Sequence, residues 1–178
     1  MRVKKEVKLS LLEDTKESEG ILYFSKGLMR LEVRKPEKSI IVLNDKAVWL
    51  ETRVDGFDGM TIHVTKILSK DLKKRSKAPL VLLLTETEAW DNFKITKTRS
   101  SDKSRTMTLK PKKEGEYPEL SKVRISVNTE TNELWYISYE DEIENEVTYK
   151  FQRPDFDADV SKSKFDYKPP KGAKVVTY

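Results

Sequence analysis

The sequence predicts a mainly β protein with short helices: a curved antiparallel sheet, or open barrel, with one helical cover. Three observations carry this reading. Apolar and polar residues alternate with period two along most of the chain, as in strands with one buried face. Turn signals rich in Gly, Asn, Asp and Pro separate those stretches. Residues 66–93 break the rhythm and hold the only run of five consecutive aliphatic residues, Leu80-Val81-Leu82-Leu83-Leu84.

Val3, Val7, Leu9 and Leu11 alternate with polar neighbours, interrupted only by Lys5, and predict a first strand. Residues 13–19 read as a polar turn. Residues 20–25 predict a second strand, apolar on both faces, and Lys26-Gly27 turns the chain. Met29, Leu31 and Val33 alternate with Leu28, Arg30, Glu32 and Arg34 in a third strand, ended at Lys35-Pro36-Glu37. Residues 39–43 predict a short apolar strand. Asn44-Asp45, which tolerates left-handed backbone, turns it into a partner over 47–52. Residues 54–59, with two glycines, read as a loop before a strand at 60–65. Within 66–93, Pro79 fits the first turn of a helix, where its missing N–H costs nothing. Thr85 or Thr87 would cap a second start, with Glu86 and Glu88 at the positive dipole end. One or two short helices are expected there. Strands resume at 94–99 and at 105–110, with Met107 and Leu109 on one face. Val123, Ile125 and Val127 mark the next strand, then Trp135, Ile137 and Tyr139, then Val147, Tyr149 and Phe151. A last short strand is expected at 165–168, stopped by Pro169-Pro170. About ten or eleven strands at roughly 8–14-residue spacing make an antiparallel meander. A sheet that long must curl, and its apolar face needs a cover. Residues 66–93 are the available segment.

The chain has 178 residues, expected to form a single domain over 1–178. Hydrophobic and charged residues each make up 37 %, and 35 bases against 30 acids leave a net charge of +5. The bases are scattered among acids, so no nucleic-acid groove is expected. The absence of cysteine excludes a disulfide, a cysteine zinc site, a thiol nucleophile and an N-terminal lipidated cysteine. No stretch approaches the ~18 apolar residues of a membrane span. Met1-Arg2-Val3-Lys4-Lys5 is basic and followed by Glu6, Lys8 and Glu13, so no signal-peptide apolar region is present. The chain is read either as cytoplasmic or as starting after a removed leader. His63, the only histidine, has no partners in sequence and reads as a strand-surface residue. Glu140-Asp141-Glu142 and Glu144 fall at a hairpin and read as a solvated turn rather than an acid–base pair. No Gly-rich phosphate loop and no Gly-x-Ser-x-Gly occurs. The expectation is a binding protein, not an enzyme, with no cofactor and no metal.

The order of motifs resembles the LolA family of periplasmic outer-membrane lipoprotein carriers. The carrying residues are Gly20-Ile21-Leu22-Tyr23-Phe24, then Lys26-Gly27-Leu28-Met29-Arg30-Leu31-Glu32, Lys35 to Val42, and Asp45-Lys46-Ala47-Val48-Trp49. Pro79 to Leu84 follows in the expected place. Leu109-Lys110-Pro111-Lys112, the acidic hairpin Asp141 to Thr148, and Phe165 to Val175 with Pro169, Pro170 and Gly172 complete the series. The resemblance covers residues 20–175 and implies a half-open antiparallel β-barrel with a lid of short helices over an apolar cavity. Two departures stand out. The family usually opens with an amphipathic helix before its first strand, whereas this sequence reads as starting in the strand, as it would if that helix, part of the lid, had been cut away. The family's Arg-Pro pair after the second strand, whose arginine ties the lid shut, is replaced by Lys26-Gly27, or by Ser25-Lys26 if the gap is placed differently. Lysine cannot make the planar bidentate contact of arginine.

By this resemblance the protein is a periplasmic carrier. It holds the acyl chains of lipoproteins in a hydrophobic cavity between the inner and outer membranes. The implied partners are acylated lipoproteins, an inner-membrane ABC lipoprotein-releasing transporter and an outer-membrane receptor, and the carrier is expected to be a monomer. Two alternatives share the half-barrel: a lipid- or lipoprotein-sensing envelope-stress regulator, and the outer-membrane lipoprotein receptor itself. The expected cavity residues are Leu80, Leu82, Leu83 and Leu84 on a movable lid, with plain core packing as the other reading of these leucines. Trp135 is expected to meet Leu83, with Ile137 beside it. Met29, Leu31, Met107, Leu109, Val123 and Ile125 belong to the apolar face of the sheet. Phe24 joins the lining, and so does Trp49, which could point to either face. Lys26 and Arg30 are the candidates for lid closure.

Overall fold

The computed structural model describes residues 1–25, 27–36, 38–56, 59–68, 79–85, 87–113, 115, 117–152, 155 and 158–178. Twelve strands form one open sheet: β1 (Arg2–Leu9), β2 (Asp14–Ser25), β3 (Leu28–Lys35), β4 (Ser39–Leu43), β5 (Ala47–Gly56), β6 (Gly59–Leu68), β7 (Phe93–Ser100), β8 (Ser104–Pro111), β9 (Lys122–Asn128), β10 (Leu134–Glu140), β11 (Glu146–Gln152) and β12 (Lys174–Thr177). Their spatial order is β12-β6-β5-β4-β3-β2-β1-β11-β10-β9-β8-β7. Neighbours are antiparallel except β12, which lies parallel to β6. Two meanders, β2 to β6 and β7 to β11, are thus joined through β1. The one α-helix among the described residues, α1 (Pro79–Thr85), lies between β6 and β7 in sequence. Those strands stand ten spacings apart in the sheet, about 48 Å if it were flat. The connection must therefore cross one face, and that is why the aperiodic segment becomes the cover.

The inner face is the apolar parity read from the sequence. Leu22, Met29, Leu31, Val33, Leu43, Val48, Ile67, Leu109, Val123, Ile137, Tyr149 and Phe151 form one buried cluster with Leu80 to Leu83 of α1. Successive helical residues step by about 100°. Four consecutive buried residues, each at most 3 % exposed, therefore mean that α1 is enclosed on all sides. Burial of each aliphatic side chain contributes about 1.5–3 kcal/mol, more than so short a helix could gain from propensity alone.

The outer face is covered on one half only. A 3₁₀ turn at Lys162–Phe165 lies against β3 with Phe165 1 % exposed, and the Phe165 carbonyl accepts from Asn44 Nδ2 at 3.4 Å. The chain then runs extended to β12. Tyr167 lies on Trp49 with ring centroids 5.3 Å apart. Its hydroxyl donates to Glu51 Oε2 at 2.6 Å, and Arg53 Nε holds Glu51 Oε1 at 2.7 Å. Burial, then the bond to Glu51, pushes the Tyr167 hydroxyl well above the usual tyrosine range.

Four expectations need correction. Residues 14–19 are strand, not turn. The chain reverses at Ser10–Leu12, with Glu13 left-handed at φ 49, and the polar start of β2 is held by pairing with β1 and by the 2.7 Å Lys4–Glu17 ion pair. The expected loop at 54–59 is largely ladder, since β5 and β6 pair out to Gly56 and Gly59. Residues 165–168 form the covering segment just described, and the last strand is β12, whose Val175 and Val176 are both exposed. The helical segment begins later than position 66, because β6 runs to Leu68. Within it, residues 69–78 and 86 lie outside the described residues. Pro79 does open α1, and a 3₁₀ segment follows at Thr87–Asn92.

Candidate lipid-binding cavity

A cavity of about 990 Å³ opens at the end of the sheet where β1 and β10 begin and β2 and β11 end. The alternation that makes these strands brings Leu22, Phe24, Leu134 and Phe151 to its wall, and the last turn of α1 adds Leu84. Met1 is stapled beside them. Its ammonium donates to the Leu22 carbonyl at 2.8 Å, and the Leu22 N–H donates to the Met1 carbonyl at 2.9 Å. The opposite wall comes from the stretch leading into and through the 3₁₀ turn: Ala158 and Val160, then Ser161, Ser163, Asp155 and Asp159. The first wall is mainly apolar, and the second mixes Ala158 and Val160 with acids and hydroxyls.

Lys164 reaches the rim, but its ammonium turns to the outer face, 3.1 Å from Glu32 Oε1 and 4.3 Å from the Tyr23 ring centroid. Arg30 bonds the same carboxylate at 2.7 Å and donates to the Lys164 carbonyl at 3.4 Å. Burial alone would raise the Glu32 carboxyl, yet the bonds from Arg30 and Lys164 hold it below its ordinary value. Among the described residues no group of three or more metal-ligating side chains is placed to hold a metal ion. Asp141 serves its turn: its carboxylate accepts from the Ile143 and Asn145 N–H groups at 3.0 and 2.9 Å. His63 is exposed on β6. The chemistry available in the cavity is apolar enclosure beside a polar rim.

The residues singled out from sequence divide into three groups. Phe24, 44 % exposed, and half-buried Leu84 line the cavity. Leu80, Leu82, Leu83, Met29, Leu31, Leu109, Val123 and Ile137 are packed core behind it, with Met107 and Ile125 against that core. Trp49, Trp135 and Arg30 stand elsewhere. Trp49 is on the outer face, because it pairs with Val42 and Lys66 while its neighbour Val48 points inward; Lys66 Nζ sits 4.9 Å above its ring. Trp135 sits where the β10 register slips between Leu134 and Tyr136, and is 38 % exposed. The slip turns Leu134 rather than Trp135 to the core. Arg30 ties the C-terminal 3₁₀ turn to β3 rather than engaging α1. Lys26 lies outside the described residues. The sequence reading missed Met1, Leu134, Val160 and the serines of the rim. Only Leu134 carried a signal, as the first apolar residue of its strand.

The fold and cavity define a class of binding protein: an open barrel with an apolar pocket at one end. The family model for LolA, outer membrane lipoprotein carrier protein, matches residues 6–168, and the chain belongs to that family. No curated protein matches the chain. An uncharacterized conserved protein from Thermus thermophilus is 13 % identical with a TM-score of 0.48; the match covers 100 % of this chain and 91 % of that one. A LolA superfamily protein from Nitrosomonas europaea is 11 % identical with a TM-score of 0.37, over 93 % of this chain and 89 % of that one.

Proposed function

We propose that this protein is a periplasmic carrier that holds lipoprotein acyl chains in the cavity between β2, β10, β11 and α1. It would receive them from an inner-membrane ABC lipoprotein-releasing transporter and pass them to an outer-membrane receptor, working as a monomeric single domain. The observation that carries this reading is the asymmetric cavity in a chain of the lipoprotein-carrier family. Tails would lie on Leu22, Phe24, Leu84, Leu134 and Phe151, and the diacylglyceryl end with its peptide would face Ser161 and Ser163. At roughly 30 Å³ per methylene-sized group, the share of a water molecule in the liquid, about 990 Å³ holds about 30 carbons, or roughly two long acyl chains. Each methylene withdrawn from water contributes ~0.8 kcal/mol, so release requires a partner that destabilises the loaded state, or shelters the chains itself, by a similar amount. Phe24→Asp and Leu84→Asp test this, since both positions are only partly buried in the folded protein. A fluorescent diacylated lipopeptide is expected to bind the natural chain, and each variant to bind at least tenfold more weakly with unchanged circular dichroism. Absence of binding by the natural chain, or equal binding by both variants, refutes the proposal.

A further inference from the structure

Elsewhere on the outer face many of the sheet's cations are ion-paired, either across strands or, like Arg30 and Arg53, along one. Lys4 pairs with Glu17, Lys150 with Glu6, Lys122 with Glu140 and Arg124 with Glu146. The hairpin β7–β8 breaks that pattern. Residues 93–111 carry six bases (Lys94, Lys97, Arg99, Lys103, Arg105, Lys110) against one acid, Asp102, a net +5 that equals the charge of the whole chain. All six bases are exposed, and none makes an ion pair among the described residues. Lys94 and Lys110 are direct cross-strand partners, a like-charge placement that costs stability.

Protection of an exposed edge explains some of this, since lysines on an edge strand discourage pairing with another chain. β7 is such an edge. It does not explain Arg105 and Lys110, which lie on β8, paired on both sides by β7 and β9. The tip of the hairpin, moreover, stands at the cavity end of the sheet. The Lys103 carbonyl accepts from the Thr129 N–H at 3.2 Å, and the β9–β10 turn leads directly into Leu134 of the cavity wall.

We propose that the β7–β8 hairpin docks the protein onto an anionic phospholipid surface. The charge is spread along strands of eight residues, about 27 Å, over both faces and the tip. It surrounds no desolvated anchor of the kind that dominates protein interfaces; Ile95, 59 % exposed, is the only exposed large apolar side chain on it. A planar, mobile array of phosphate headgroups matches such a distribution. Docking by the tip would hold the cavity end of the sheet near the bilayer. The inference stands on charge placement and not on the occupant of the cavity.

Flotation of the full chain with vesicles tests it. Binding to equimolar phosphatidylcholine and phosphatidylglycerol is expected, with none to phosphatidylcholine alone and steep weakening with salt. Each lost cation should lower partitioning about fivefold, so Lys97→Gln/Arg99→Gln/Lys103→Gln should lose about a hundredfold. A control triple of the same charge change on the other half of the sheet and the C-terminal turn, Lys38→Gln/Lys46→Gln/Lys171→Gln, should keep its binding within a few fold. Both triples alter exposed positions, and thermal midpoints matching the natural chain confirm folding. Failure to float with anionic vesicles, equal loss in the two triples, or binding to polyglutamate but not to vesicles overturns the proposal. Lipopeptide binding by the hairpin triple is expected to remain, so failure of docking and failure of the carrier reading are read separately.

Discussion

Tyr167→Phe removes one oxygen from the segment that covers the outer face and leaves its ring on Trp49. That oxygen donates at 2.6 Å to Glu51 Oε2, and Glu51 is 2 % exposed. Without it the carboxylate keeps Arg53 on Oε1, while Oε2 loses the hydroxyl in a place water does not reach. A hydrogen bond to a charged group contributes about 1.5–3 kcal/mol, and an orphaned buried acceptor moves the cost to the upper end. For a chain of this length 1 kcal/mol shifts the midpoint by roughly 2–4 °C, so a fall of about 5–10 °C is expected. Urea unfolding should show a lower midpoint with an unchanged slope. In a cycle with Glu51→Gln, the two losses should fall short of additivity by at least about 1 kcal/mol. Tyr136→Phe, a half-buried tyrosine on the open half of the outer face, is the control and should cost little. A Tyr167→Phe loss under about 0.5 kcal/mol, or full additivity with Glu51→Gln, would refute the view that this buried bond fastens the C-terminal segment.

Gly20→Ala should destabilise by about 1–3 kcal/mol in urea unfolding, because its new methyl would sit 2.4 Å from the Glu32 carbonyl oxygen on β3; an unchanged midpoint would contradict the close approach of the two strands. Leu82→Ala should cost about 2–5 kcal/mol as a cavity in packed core, with Leu82 only 3 % exposed; a cost below about 1 kcal/mol would mean that α1 is loosely held. Stability should fall in acid. Glu32 is held low against burial by Arg30 and Lys164, and Glu146 against burial by Arg124, Ser138 and Thr148. Folded values below the ordinary 4.5 give stability that is present above that value and lost as pH falls through the folded one. Between about pH 6 and 3 the natural chain should therefore lose stability more steeply than Glu32→Gln/Glu146→Gln; equal slopes would refute the assignment.

The period-two alternation of Met29, Leu31 and Val33, of Val123 and Ile125, and of Tyr149 and Phe151 determined most of the strands and their inner face. Side-chain parity is local and survives whatever the strand pairs with. The run Leu80 to Leu84 determined where the cover would be, since so apolar a stretch has to be buried. Pro79 determined where the helix opens. The motif order determined the family. Tertiary structure decided what parity leaves open. Asp14 to Glu19 has no apolar alternation, and its strand exists because β1 supplies a partner. The slip in β10 exchanged Trp135 for Leu134 in the core, a choice of one residue that no local pattern contains. Trp49 turned outward because its parity follows Val42, and it found cover only when Tyr167, more than a hundred residues later, crossed over it. The cavity too was a tertiary decision. Its wall joins Met1 and Val160, from opposite ends of the chain, to the ends of three strands and the last turn of α1, and only the folding of the sheet brings these together.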